Sequence, residues 1–197
     1  MRRILLAIAF VVVLCLALTT IIVERESEYA VETVSASGKL RALVLYHPSR
    51  DAHFSDDLSL ALARGLAAAG FAVDRATFNS QTPPHPDQYA VIGIVSNTYF
   101  WTPDRPTLNY LERARLQGVA AIGIMGGAGA TGRSERVLRD AIAATGATVL
   151  QTRSFWLLRP NDESRMDDPN RQVAVDAATR LGRDLGGRVL RDRHMVP

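Results

Sequence analysis

A doubly wound α/β domain, its five-stranded parallel sheet covered by helices on both faces and preceded by one transmembrane helix, is the architecture that this 197-residue sequence predicts. Three observations predict it. Short apolar runs alternate with segments of helical spacing, the pattern of successive strand–helix–strand units. The runs are nearly continuous Val, Ile, Ala and Leu, so each strand is buried on both faces, as in a parallel sheet. Met-Arg-Arg at the start is followed by an uncharged run from Ile4 to Val23, long enough as a helix to cross ~30 Å of hydrocarbon.

The elements follow in order. A cleaved signal peptide has an apolar core of only ~7–15 residues, so the longer run is expected to stay as a signal anchor. Glu24 to Gly38 is polar, acidic and ends in small residues, which fits a tether. Leu40 to Tyr46 is a buried strand, and Asp56 to Ala69 has helical spacing with Gly70 as its stop. Phe71 to Phe78 is the second strand, Ala90 to Val95 the third, Val119 to Met125 the fourth and Ala147 to Arg153 the fifth. Helices fill Pro106 to Gln117 and Ser134 to Thr145, and a last one follows Pro169 to about Leu185. The chain thus divides into a basic tail 1–3, a transmembrane helix 4–23, a polar linker 24–38, one domain 39–190 and a tail 191–197.

Composition narrows the function. Net charge is +3, but Lys39 is the only lysine and the arginines alternate with acids, which argues against a nucleic-acid face. Cys15 is the only cysteine, so neither an intrachain disulfide nor a cysteine-based metal site can form. The Arg2–Arg3 pair places the N-terminus inside and the domain outside the cytoplasmic membrane; Arg25, Lys39 and Arg41 weaken that lean. A single-pass protein of the cytoplasmic membrane is the expected localisation.

Doubly wound sheets bind ligands beyond the carboxyl ends of their strands, which makes three loops informative. The first, His47 to Leu58, leads into a helix whose start offers unpaired N–H groups, with His47, Ser49, Arg50, His53 and Ser55 as further donors for a phosphate; the alternative is that Ser55 only caps the helix. A metal on His47, Asp51 and His53 lacks a dedicated ligand spacing, and no metal is expected. The second loop sets Tyr99, Phe100 and Trp101 side by side, either lining a slot for a flat ring or serving as core or as contacts to lipid headgroups. The third holds Gly126, Gly127, Gly129 and Gly132. Its G-x-G-x-x-G spacing fails as a dinucleotide fingerprint, because it lies on the fourth strand and no ribose-binding acid follows. A flexible turn is the alternative.

Three sequence features carry a resemblance. "YHP…HFSDDL" (Tyr46 to Leu58) resembles the "AHP…SFN…L" motif of NAD(P)H:quinone reductases, with His53 where serine is usual and Ser55 where asparagine is usual. "SNTYFWTP" (Ser96 to Pro103) is similar to the flavodoxin pattern "SPTYxxxxP", with Asn97 in place of proline. The glycine loop stands where that superfamily lets backbone approach the pyrimidine edge of a flavin. The chain therefore resembles the flavodoxin-like superfamily over Leu40 to Arg153, which implies strand order 2-1-3-4-5 and FMN as cofactor. The resemblance also implies cofactor contacts at His47, Ser49, Arg50, His53, Phe54, Ser55, Ser96, Asn97, Thr98, Tyr99, Phe100, Trp101, Gly126, Gly127 and Gly129.

The expected function is a membrane-anchored flavoprotein that transfers electrons to or from a quinone or a membrane redox partner. No catalytic acid or base stands out, since flavin chemistry asks mainly for position and exclusion of water. If it is an enzyme, it is an FMN-dependent oxidoreductase resembling the quinone reductases. The alternative is a non-catalytic binding or structural module with a degenerate flavin site. A hydrolase built on Ser49 or Ser55 with a histidine lacks the strand–turn nucleophile geometry. Expected partners are a small-molecule or protein redox partner and the lipid bilayer; a homodimer stays open.

Overall fold

The computed structural model describes residues 2–23, 25–49, 53–83 and 85–194, the side chains of 2, 16, 19–23 and 194 excepted. In chain order the elements are α1 (Arg2–Val23), β1 (Val31–Ser35), β2 (Leu40–Tyr46), α2 (Phe54–Ala69), β3 (Phe71–Thr77), β4 (Val91–Tyr99), β5 (Thr102–Pro103), α3 (Arg105–Arg113), β6 (Ala120–Gly127), α4 (Gly132–Ala144), β7 (Thr148–Trp156) and α5 (Asn170–His194), with a 3-10 turn at Glu163–Arg165.

The sheet has seven strands instead of the five expected. Its order is β1-β3-β2-β4-β6-β7, with β5 paired to β4 alone. The strands β3-β2-β4-β6-β7 pair in parallel throughout. The two additions are antiparallel. β1 pairs with β3 in the register Val31↔Ala76, Glu32↔Arg75 and Thr33↔Asp74, and β5 folds back on β4 as a hairpin. Five residues without strict alternation in an acidic stretch look like linker, and only their partner shows them to be a strand: Thr33 donates to Asp74 (2.9 Å) and Glu32 accepts from Arg75 (2.7 Å). Asp74 also accepts from Tyr89 and pairs with Arg41. Burial works to raise its pKa, but the bonds from Tyr89, Thr33 and Arg41 outweigh it and hold the carboxyl below its ordinary range.

Alternation along each strand sends side chains to two cores, one per face. Ala42, Val44, Val91 and Val95 pack with Leu58, Leu62 and Leu66 of α2 and Ala174, Ala178 and Leu181 of α5. Leu43, Leu45, Ile92 and Ile94 pack with Tyr110 and Leu111 of α3 and Leu138 and Ile142 of α4. This is the doubly wound arrangement that continuous apolar strands require. α5 runs beyond Leu185 to His194. Gly186 and Gly187 look like a stop, but a Cβ on Gly186 would lie 3.0 Å from Ala69 Cβ, so the glycine permits close packing inside the helix.

The linker segment is not slack. Ala30 N–H donates to Thr77 Oγ1 (3.0 Å), whose hydroxyl donates to the Glu28 carbonyl (2.7 Å), and Asn79 Nδ2 reaches the Ser27 carbonyl (3.4 Å). Because β1 is antiparallel to β3, this segment lies at the carboxyl rim of the parallel strands. Among the described residues, no helix is long and apolar enough to cross a membrane. The side chains of Ile4, Leu5, Phe10 and Val13 on α1 are exposed.

Helices α2 and α5 pack backbone against backbone. A Cβ on Gly65 would stand 2.2 Å from the Thr179 carbonyl oxygen, and one on Gly182 2.5 Å from that of Leu62. Both obstacles are backbone, so neither can yield without moving a helix. Gly65→Ala is expected to destabilise the domain by about 1–3 kcal/mol. Urea unfolding checks this, with a lower midpoint at unchanged slope.

Candidate functional site

Three chain segments leave the carboxyl rim side by side: after β2, after β4 and after β6. A buried carboxyl group anchors the middle one. Asp104 is fully buried and accepts from Ser96 Oγ (2.8 Å), Asn97 N–H (2.7 Å) and Thr107 N–H (2.9 Å). The last of these bonds makes Asp104 the N-cap of α3, with proline in the first turn to fix the helix start. Asn97 Nδ2 donates to the His47 carbonyl (2.9 Å), so the end of β4 is tied to the end of β2.

The first loop is closed by serines. Ser49 N–H donates to Ser55 Oγ (2.7 Å), Ser55 N–H to Ser49 Oγ (3.2 Å), and Ser55 Oγ to the His47 carbonyl (2.7 Å). Ser55 therefore does not act as the N-cap of α2. That position is His53, with φ 59° and no side-chain cap bond. The carboxylates of the first turn are neutralised from outside the helix, Asp56 by Arg75 (2.9 Å) and Asp57 by Arg171. The Arg75 guanidinium also lies 4.1 Å from the Tyr46 ring centroid, and burial pushes the Tyr46 hydroxyl up to about 12 despite that cation.

Between these loops lies a cleft of about 130 Å³, lined by Ser49, Phe54, Asn97, Thr98, Tyr99, Gly126, Gly127, Ala128 and Leu157. All three loops contribute. Gly126 and Gly127 expose bare backbone there, and a Cβ on Gly127 would press within 2.7 Å of Thr131 Cγ2. Thr98 Oγ1 is buried without a hydrogen-bond partner. Leu157 N–H donates to the Gly127 carbonyl (3.0 Å), which brings the segment after β7 to the cleft wall.

Of the residues expected to bind a cofactor, Ser49, Phe54, Asn97, Thr98, Tyr99, Gly126 and Gly127 meet at this cleft. Ser55, Ser96 and His47 lie behind it. Ser55 and Ser96 are taken up by the bonds just described, and His47 Nε2 faces the Arg25 carbonyl at 3.1 Å. A carbonyl can only accept, so Nε2 is the donor. His53 is on the surface, with 83% of its side chain exposed, and Gly129 packs beside Arg159. Arg50 lies outside the described residues, as does Asp51. Asp104, Ala128 and Leu157 escaped sequence reading. "DRP" ahead of a helix was an available signal for Asp104, whereas the place of Leu157 depends on how β7 pairs with β6.

Phe100 and Trp101 do not line the cleft. They form the two-residue tip of the β4–β5 hairpin, are 64% and 59% exposed, and have φ of 48° and 60°. Positive φ at both central residues is the requirement of a type I′ turn, which Asn-Gly meets at least cost. Two aromatic residues there store about 1–3 kcal/mol each.

The parallel strand order β3-β2-β4-β6-β7 with helices on both faces, and a cleft at the carboxyl ends of its central strands, decides the fold. The fold is flavodoxin-like. An archaeal flavodoxin superposes with a TM-score of 0.55 at 13% identity, covering 77% of this chain and 99% of that one. The NAD(P)H:quinone oxidoreductase from Methanothermobacter marburgensis gives 0.53 at 17%, covering 74% and 98%. The flavodiiron protein from Giardia intestinalis gives 0.62 at 14%; 79% of this chain matches 37% of that one. No protein-family model matches the chain, and no curated protein matches its sequence. Within this flavodoxin-like domain Asp104 is the organising group. Asp104→Ala leaves buried donors unpaired and removes a cap, so a loss of about 2–4 kcal/mol in thermal or urea unfolding is expected.

Proposed function

We propose that the chain is a membrane-tethered flavodoxin-like protein that binds FMN at the carboxyl rim and passes electrons to or from a quinone or a membrane redox partner. One observation carries the reading: the loops after β2, β4 and β6, which the sequence singles out separately, form one cleft. Bound flavin would supply one- and two-electron transfer. Tyr99 and Leu157 would flank its ring, the backbone of Gly126 to Ala128 would approach its polar edge, and Thr98 Oγ1 offers that edge an uncommitted hydroxyl. The cleft is smaller than the ~300–1,000 Å³ of ordinary cofactor pockets, so it takes one end of such a molecule. The named redox proteins of the same fold support this chemistry.

The tether is taken from the sequence. Ile4 to Val23 carries no charge, and the exposed aliphatic surface of α1 needs an apolar environment. A lipid-soluble quinone shares the bilayer with such a tether, which raises its effective concentration at the cleft. In this reading the domain lies on the extracytoplasmic side.

A second reading, a flavodoxin-fold module without flavin, is favoured by one observation: the Ser49 and Ser55 hydroxyls and amides bond to one another where a phosphate would need them. Absorbance of the purified full chain separates the two. Flavin bands that disappear on mild denaturation support FMN binding; a colourless protein that does not bind added FMN overturns it. Ser49→Ala, at the cleft wall, should weaken FMN about tenfold or more while sparing riboflavin, which lacks the phosphate. Equal loss for both would contradict a phosphate role for the first loop.

A further inference from the structure

Among the described residues outside α1, the exposed large apolar side chains are not scattered. They are Val31 on the edge strand and Phe100, Trp101, Leu158 (83% exposed) and Met166 (65% exposed) at the carboxyl rim. Phe100 and Trp101 project beyond the sheet, because β4 pairs with β6 only as far as Asn97↔Gly126 and continues two residues further into the hairpin. Leu158 and Met166 line a second hollow, of about 210 Å³, that shares Leu157 with the cleft. Leu157 thus joins the cleft to this hollow, whose Leu158 and Met166 stand among Arg159, Asp162, Arg165 and Asp168. Bent chain geometry at the hairpin tip holds its two rings away from the protein's own core.

The chain leading from α1 arrives at this same rim. His47 Nε2 donates to the Arg25 carbonyl at 3.1 Å, Ser80 N–H to Glu26 Oε2 at 3.1 Å, and the Glu28 carbonyl accepts from Thr77. Arg25 is thus fixed at the end of β2, beside the loop that leads to the cleft. Val23, the end of α1, is two residues away, at most ~7 Å of chain. Whatever holds α1 holds the carboxyl rim within that distance.

We propose that the carboxyl rim docks on the bilayer surface, with Phe100, Trp101 and Leu158 seated at the headgroup level, so that the cleft opens onto the membrane. The inference rests on the membrane tether of the preceding section and not on flavin. A flexible linker would let the domain tumble; bonds from residues 25 to 30 to His47, β3 and the loop after β3 hold that segment on the rim. Tryptophan and leucine side chains with no protein cover then meet an interface that favours amphipathic rings.

The test uses the full chain in phosphatidylcholine vesicles. Flotation with the vesicles after alkaline extraction reports the tether: a chain left in the aqueous fraction defeats the tether, and the docking with it. For the docking, Trp156→Phe leaves Trp101 as the only tryptophan, and brominated phosphatidylcholine should quench it about twofold relative to the unbrominated lipid. As an independent variant, Cys15→Ser with Leu158→Cys carries an environment-sensitive dye that should shift to the blue on reconstitution. The same dye at Ala144→Cys, on the exposed end of α4 at the opposite rim, should remain at its aqueous position. Vesicle-bound protein in which neither Trp101 nor the Leu158→Cys dye senses lipid overturns the docking while leaving the tether intact.

Discussion

A single acidic side chain, sealed from water, ties the end of β4 to the start of α3 at the carboxyl rim. Asp104 accepts from a strand amide, a strand hydroxyl and a helix amide. Burying a carboxylate is costly unless its oxygens are bonded, and here the bonds come from elements that would otherwise be free to separate. β4 can therefore extend past the sheet, turn at Phe100 and Trp101, and deliver Pro103 to the start of α3 without drifting. Asn97 carries the constraint across to the His47 carbonyl, and from there the two serines fix the first loop. The cleft is the space left between parts so pinned.

The parallel core was legible because its determinants are local. Continuous apolar runs bounded by glycine or proline specify strands buried on both faces, and β2 falls on the expected residues, Leu40 to Tyr46. The additional strands were not legible for the opposite reason. Nothing within Val31 to Ser35 distinguishes a strand from a linker until Asp74 and Arg75 are placed opposite it. A two-residue β5 has no periodicity to detect.

The candidate site was legible by region and not by role. Loops after particular strands could be named because topology places ligands there. Which side chain points inward depends on pairings that span fifty residues, as with Asn97 and His47. Ser96 and Ser55 have the residue types of ligand donors, yet the fold uses both as internal connectors. The three adjacent rings separate likewise: Tyr99 faces the cleft while its two neighbours turn outward, as alternation along a strand followed by a tight turn demands.

β1 has one more consequence. It occupies the outer hydrogen-bonding edge of β3, all seven residues of which are buried. A fragment trimmed to begin at Gly38 would leave that edge bare, and unpaired strand edges recruit other chains into aggregates. A well-behaved soluble version of the domain must therefore keep the acidic segment from Arg25 onward, which acts as a built-in cover against self-association.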